Sequence, residues 1–159
     1  MSIEQATHVP SATSFDRLQV ADAMTIDPVV VGVDASIESA EQLLSSYRIS
    51  GLPVVDETGR LVGVLSPTDL LGDGNATVRA LVRGHLSGLR VGELMSAPAV
   101  TVPITATLRD AARLMRDERI HRVVAIDDSG HPIGVLAASD YVTLVADGSP
   151  GTRSNSRRF

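Results

Sequence analysis

Two stretches of this sequence repeat each other without a gap, and this duplication limits the folds available to the chain. At an offset of 71 positions, residues 20–71 align with residues 91–142, and fifteen of the fifty-two aligned positions are identical. The string GVL, for example, stands at 63–65 and again at 134–136. A period of this length corresponds to one supersecondary unit, so the sequence predicts a tandem duplication of a single folding unit.

Each copy begins with a short β-branched run that leads into an amphipathic helix. The runs are 29–31 and 100–102, and each is followed by a good N-cap residue, Ser36 or Thr107. Apolar residues then recur at helical spacing, namely Ile37, Ala40, Leu43 and Leu44 in the first copy and Leu108, Ala111, Leu114 and Met115 in the second. This spacing predicts one helix per copy with a single buried face.

A β-hairpin and a second helix complete each copy. Apolar runs flank the turns at 56–59 and 127–130, and both turns start with Asp and end with Gly. The helix after the first hairpin is predicted to begin at Pro67, whose missing N–H costs nothing at the first helical position, with Ser66 as its N-cap. In the second copy the equivalent residue, Ala137, has no side-chain oxygen with which to cap.

The size of the halves predicts how they combine. A half of about fifty residues buries too little apolar surface to be secure alone. We therefore expect an α+β fold in which two β-α-β-β-α repeats pack through their sheets as one pseudo-twofold module. The predicted divisions are a flexible N-terminal segment 1–17, repeat one 18–71, a partly helical linker 72–90, repeat two 91–145 and a flexible C-terminal tail 146–159.

Composition excludes several classes of protein. No apolar stretch approaches the ~20 residues that a membrane span requires, and the start of the chain lacks the pattern of an export signal, so a cytoplasmic location is expected. The absence of cysteine excludes disulfides and thiolate metal sites. A net charge of −5 disfavours a nucleic-acid partner, because the field of the protein repels phosphate backbones.

The motifs of both copies resemble those of a tandem CBS-domain protein, the Bateman module, here a stand-alone CBS pair. Each copy has a D/E-x-M-[ST] string (22–25 and 93–96), and the first copy closes its hairpin with G-h-h-[ST]-x-x-D at 63–69. The resemblance spans roughly residues 18–145. It implies clefts that bind AMP, ADP, ATP or S-adenosylmethionine, assembly into homodimers, and a sensing role without catalysis.

One predicted cleft has the chemistry that an adenosine phosphate requires. Asp69 can accept the ribose hydroxyls, Ser66 can donate to ribose or phosphate, and the resemblance places the His121–Arg122 pair at the phosphate. The predicted nucleotide-binding residues are Val64, Leu65, Ser66, Thr68, Asp69, His121 and Arg122.

Structural roles for the same residues stay open at this point. Asp69 can be a helix-start acid that the helix dipole stabilises, and the Ser66 hydroxyl can be occupied by the backbone that it caps. Arg122 can pair with Asp127, Asp128 or a dimer partner.

The second predicted cleft is weaker. It would combine Ser50 and Gly51 with Ser139 and Asp140, where the basic pair is missing and Ala137 replaces the hydroxyl. The coordinated loss of both features predicts an asymmetric module with about one ligand site per chain.

The leading functional hypothesis is a regulatory module that binds an adenine nucleotide and signals its occupancy to an unidentified partner protein. The sequence contains no cysteine nucleophile, Gly-x-Ser-x-Gly string or Walker-type glycine loop, so no enzyme activity is predicted. No cofactor and no metal site are predicted either. The alternative is a ligand-free scaffold for dimerisation or protein interaction.

Overall fold

The computed structural model describes residues 12–71, 84, 88–150 and 153–154 of the chain, which divide into two compact units. Of these residues, the first unit contains 12–27, 100–127, 133–150 and 153–154, and the second contains 28–71, 84, 88–99 and 128–132. The described helices are Ala12–Arg17, Val20–Ala23, Ile37–Tyr47, Pro67–Leu71, Val91–Leu94, Leu108–Glu118 and Ala138–Asp147. The strands are β1 (Thr25–Ile26), β2 (Val31–Gly32), β3 (Leu52–Val55), β4 (Leu61–Leu65), β5 (Thr101–Pro103), β6 (Arg122–Ile126), β7 (Pro132–Ala137) and β8 (Arg153–Ser154).

The second unit is built on a three-stranded sheet in the order β2-β3-β4. Strand β2 runs parallel to β3, and β3 pairs antiparallel with β4 around the predicted turn, where Gly59 has a φ of 81°. The helix Ile37–Tyr47 begins where the sequence predicts, because Ser36 Oγ accepts the Ser39 N–H at 3.2 Å. Its apolar face is buried at Ile37, Ala40 and Leu44.

The first unit is built on a five-stranded sheet in the order β5-β6-β7-β1-β8. The helix Leu108–Glu118 has the predicted cap, since Thr107 Oγ1 accepts the Asp110 N–H at 3.0 Å. Burial of Leu108, Ala111 and Met115 gives this helix the same inward face as its counterpart in the second unit. The predicted mixed α+β class with two sheets is therefore confirmed.

The segments that open each copy pair with the sheet of the other copy. We call residues 18–27 and 89–98 the lead-in segments. The first lead-in segment pairs with the second copy, Thr25 lying opposite Val135, while Ser96 of the second lead-in segment forms a bridge with Val64 of the first copy. Two further bridges join Gln19 to Thr107 and Arg90 to Ser36. These two bridges are equivalent in the repeat, because Arg90 corresponds to Gln19 and Thr107 to Ser36 at the offset of 71. Each compact unit thus combines the sheet of one copy with the lead-in segment of the other.

Both predicted terminal segments contain regular structure where they are described. Within segment 1–17, the helix Ala12–Arg17 packs by stacking the Phe15 ring on Tyr141, with centroids 6.2 Å apart, and its Asp16 forms an ion pair with Arg109. Within segment 146–159, β8 pairs in parallel with β1 at the edge of the five-stranded sheet. Its backbone groups bond to groups of β1 that an edge strand would otherwise leave unpaired.

Part of the predicted organisation falls outside the described residues. This applies to 1–11, to most of the linker (72–83 and 85–87), including its predicted short helix, and to 151–152 and 155–159. Among the helices that are described, none is both long and apolar enough to cross a membrane.

Candidate functional site

Asp69 lies at the start of the helix Pro67–Leu71, where Ser66 holds one of its carboxylate oxygens. Asp69 Oδ2 accepts the Ser66 backbone N–H at 2.7 Å and the Ser66 hydroxyl at 3.0 Å. Ser66 Oγ also lies 2.7 Å from Thr68 Oγ1. Three of the residues predicted from the sequence therefore form one polar cluster that the fold positions directly after β4.

The other carboxylate oxygen of Asp69 is held by a residue that the sequence analysis missed. Ser96 Oγ donates to Asp69 Oδ1 at 3.0 Å, across 27 positions of the chain. Ser96 belongs to the second lead-in segment, and its backbone bonds to Val64 in both directions, at 3.0 and 2.9 Å. The signal for this residue was the hydroxyl that ends the D/E-x-M-[ST] string, a string that served above only to support the resemblance to the CBS family.

Strand β4 provides the apolar neighbourhood of this cluster. Leu65 is fully buried, whereas Val64 is half-buried. Because both backbone polar groups of Val64 are bonded to Ser96, we expect a ligand base at this strand to meet the Val64 side chain rather than its peptide groups.

The glycine of β4 has a packing role. A Cβ at Gly63 would lie 2.6 Å from Met95 Sδ and 2.9 Å from the Ser96 carbonyl oxygen. In the second copy, Gly134 has the same relation to the side chain of Met24. Both glycines therefore allow the close approach of a lead-in segment to the sheet.

The second copy repeats the backbone contact of Asp69 without the hydroxyl. Asp140 Oδ2 accepts the Ala137 N–H at 2.7 Å, at the start of the helix Ala138–Asp147. The helix-start role is therefore real in both copies. What distinguishes the first copy is the hydroxyl group that Ser66 adds to its acid.

The His121–Arg122 pair lies in the first unit, at the beginning of β6. The carbonyl of His121 accepts the Ala138 N–H at 2.8 Å, which fixes this peptide to the start of the last helix. The equivalent bond is impossible in the first copy because Pro67 has no N–H. Arg122 is half-buried, and burial lowers the pKa of its guanidinium.

The two units divide the predicted residues as follows. The second unit contains Val64, Leu65, Ser66, Thr68 and Asp69, and it also contains Ser50 and Gly51 of the weaker cleft. The first unit contains His121 and Arg122, together with Ser139 and Asp140. The structure brings Ser66, Thr68 and Asp69 into contact, while the assignment of all these residues to ligand binding stays a prediction.

A metal-centred chemistry has no support in the described part of the chain. No three histidine, aspartate or glutamate side chains are grouped there closely enough to hold a metal ion.

Comparison with known proteins identifies the family. The model of the CBS domain matches residues 20–73 and 91–147, which together make up more than half of the chain. The chain belongs to the CBS-domain family. This confirms the resemblance drawn from the two D/E-x-M-[ST] strings and the closing motif of the first hairpin.

The CBS pair is similar to solved CBS-pair proteins over most of its length. CBSX2 from Arabidopsis thaliana is 32% identical, with a TM-score of 0.72 over 82% of this chain and 95% of that protein. CBSX2 in complex with AMP is 31% identical, with a TM-score of 0.67 over 82% and 97%. The CBS domain pair of MJ0100, in complex with 5-methylthioadenosine and S-adenosyl-L-methionine, is 25% identical, with a TM-score of 0.67 over 79% and 98%.

The CBS pair also matches a region of much longer enzymes. It is 28% identical over 120 residues to inosine-5'-monophosphate dehydrogenase of Bifidobacterium longum, which covers 75% of this chain and 21% of that enzyme. The chain spans from 21% to 27% of the length of the first curated relatives it matches. The similarity therefore concerns the CBS-domain region and not the whole dehydrogenase.

Proposed function

We propose that this CBS pair is a non-catalytic regulatory module that binds an adenosine-containing ligand, with Asp69 as the acceptor for the ribose hydroxyls. The observation that supports this most is the placement of the Asp69 carboxylate, which is held by Ser66 on one oxygen and by Ser96 on the other. A carboxylate fixed in this way presents oriented acceptors to a diol without first losing side-chain entropy.

Similarity to ligand-bound CBS pairs supports the same class of ligand. CBSX2 was solved with AMP and MJ0100 with two adenosine derivatives. The common part of these ligands is adenosine, and AMP, ADP, ATP and S-adenosylmethionine all contain it. The proposal therefore names the nucleoside and leaves the group on its 5' carbon to be measured.

Arg122 is the proposed phosphate contact, with His121 as a second donor. Removing a guanidinium from water disfavours its charge, which is why burial lowers the pKa of Arg122. A phosphate dianion restores favourable electrostatics to such a group, and the planar fork of arginine matches phosphate oxygens well.

Thermal unfolding with added nucleotides tests the proposal. A ligand that binds only the folded state stabilises it by about 2.7 kcal/mol when its concentration is 100 times Kd. We expect a rise in melting temperature with AMP, ADP, ATP or S-adenosylmethionine and a smaller one with GMP, and titration calorimetry should give about one site per chain. Two equal sites would contradict the predicted asymmetry, and no response to any adenosine compound would contradict the proposal.

Replacing Arg122 by glutamine should separate phosphate recognition from nucleoside recognition. The loss of one charged hydrogen-bonding group is expected to raise the Kd for AMP about tenfold and to leave the Kd for adenosine unchanged. The matched control is Arg119→Gln, which removes an exposed guanidinium three residues earlier. An equal loss for AMP and adenosine would mean that Arg122 acts on the fold and not on phosphate.

The proposed output is a regulated partner protein, reached through a homodimer whose shape or surface depends on occupancy. The ligand must favour one conformation by differential affinity for such a signal to exist. A ligand-free interaction scaffold is the second candidate, and the exposed Val142 and Val145 on the last helix favour it. A constant melting temperature with all adenosine compounds, together with dimerisation that depends on Val142, would support the scaffold.

A further inference from the structure

Ser96 occupies a fixed position beside Asp69. Its backbone N–H and carbonyl both bond to Val64, and Met95, the residue before it, packs over Gly63 with no room for a Cβ. The peptide that carries the Ser96 side chain is therefore held by strand β4, and its hydroxyl is delivered to Asp69 without dependence on a mobile loop. The residue itself is exposed, so a ligand can reach its neighbourhood.

The hydrogen bonds of Asp69 limit how it can receive a ligand. A carboxylate has about four acceptor positions, two on each oxygen. Ser66 uses both positions on Oδ2, through its N–H and its hydroxyl, and Ser96 uses one on Oδ1. Counting the bonds among the described residues, one position on Oδ1 remains for a ribose hydroxyl. A second becomes available on Oδ2 if the Ser66 hydroxyl turns its proton to Thr68 Oγ1, which is already 2.7 Å away.

We propose that Ser96 is a positioning residue of the nucleoside site, which keeps Asp69 oriented so that the ribose diol displaces the Ser66 hydroxyl and not the Ser96 hydroxyl. This inference rests on the proposed function of Asp69. The lead-in segment of the second copy then supports ligand binding by the first copy indirectly, through the bond between Ser96 Oγ and Asp69 Oδ1.

The ribose is expected to displace the Ser66 hydroxyl because the two hydroxyls that donate to Asp69, those of Ser66 and Ser96, differ in what happens when they are removed. When the ribose displaces it, the Ser66 hydroxyl can turn its proton to Thr68 Oγ1, so it keeps a partner although the bond to Asp69 is lost. Ser96 is fixed by its backbone, and removing its hydroxyl would free Asp69 Oδ1 to rotate and to bind water. Ordering that carboxylate again would cost part of the binding free energy of the ribose.

The equivalent residue in the other copy shows which substitution the position tolerates. Thr25 aligns with Ser96 at the offset of 71 and lies opposite Val135, as Ser96 lies opposite Val64. A threonine therefore fits this backbone position next to the sheet, and Ser96→Thr is the conservative variant that retains the hydroxyl.

Titration calorimetry with AMP, on Ser96→Ala and Ser96→Thr in the full chain, tests the inference. Hydrogen bonds to charged groups are worth enough that Ser96→Ala is expected to raise the Kd about tenfold. Ser96→Thr should stay within about threefold of the native chain, since its hydroxyl is retained. The matched control, Thr25→Ala, should leave the Kd unchanged. An unchanged or lower Kd for Ser96→Ala, or a loss that threonine does not rescue, would overturn the inference.

A cycle without ligand separates this inference from the proposed function. Urea unfolding of Asp69→Ala, Ser96→Ala and the double variant measures whether the two residues act through each other. The shift in unfolding midpoint of the double variant should be smaller than the sum of the single shifts. Additive shifts would overturn the positioning role of Ser96 even if AMP binds. If the shifts are smaller than additive but no adenosine compound binds, only the proposed function is overturned.

Discussion

Replacing Asp69 by alanine is expected to abolish the rise in melting temperature with AMP and to weaken AMP binding by about 100-fold. Each hydrogen bond to a charged group contributes about 1.5–3 kcal/mol, and a ribose diol makes two of them with a carboxylate, so even the low estimate gives two powers of ten. The measurement is titration calorimetry at constant ionic strength, with AMP and adenosine in parallel. Both ligands should lose affinity by the same factor, because the ribose is common to them.

The matched control for this substitution is Asp140→Ala. Asp69 and Asp140 each accept the N–H three residues earlier, in both cases at 2.7 Å, so the two alanine variants lose the same backbone contact. Without ligand, each variant is expected to lose about 1 kcal/mol of stability through this shared contact, and Asp69→Ala also loses the bonds from the Ser66 and Ser96 hydroxyls. AMP binding to Asp140→Ala should stay native. A full response of Asp69→Ala to AMP would show that the ribose acceptor lies elsewhere.

Local features of the fold were predictable because their chemistry lies in neighbouring residues. The caps at Ser36 and Thr107 depend on a hydroxyl and an N–H three residues apart. The hairpin turns depend on glycine at the position of positive φ, at Gly59 and Gly130. Each of these features is decided within a few positions of the sequence, so the β3–β4 hairpin was predicted with its turn at 56–59 between two apolar strands.

The exchange of the lead-in segments could not be predicted from the same evidence. Both copies present the string GVL on the strand that a lead-in segment meets, so Thr25 finds the same local sequence at 63–65 and at 134–136. Pairing within a copy and pairing between copies therefore look identical at this level. The contact that decides it lies far along the chain, and Ser96 was missed for the same reason.

The candidate site was predictable only in part. The acids were found because each follows its strand at a fixed distance, and the structure places Ser66 and Thr68 beside Asp69 as expected. The structural role of Asp69 and Asp140 was open, and the bonds to the N–H three residues earlier establish it in both copies. Ligand binding itself depends on groups that no local pattern brings together, so it stays a proposal.

Gly63→Ala is the second substitution with a large expected effect. A methyl group at this position would lie 2.9 Å from the Ser96 carbonyl oxygen, which belongs to the backbone and is fixed by its bond to Val64. Because overpacking of this kind costs about 1–3 kcal/mol, we expect the free energy of unfolding to fall by about 2 kcal/mol. Urea unfolding monitored by circular dichroism measures the change.

Gly134→Ala provides the comparison, since the two glycines are equivalent in the repeat but meet different obstacles. The atom nearest to a Cβ at Gly134 is Met24 Sδ, followed by Cγ at 3.0 Å and Cε at 3.1 Å of the same side chain. Because a methionine side chain can change rotamer, the loss in unfolding free energy for Gly134→Ala should be at least about 1 kcal/mol smaller than that for Gly63→Ala. Because Gly63→Ala is expected to move Ser96 away from Asp69, it should also weaken AMP binding. Gly134→Ala should leave AMP binding unchanged. Equal losses of stability and of AMP affinity in the two variants would mean that the lead-in segment of the second copy does not position the acid.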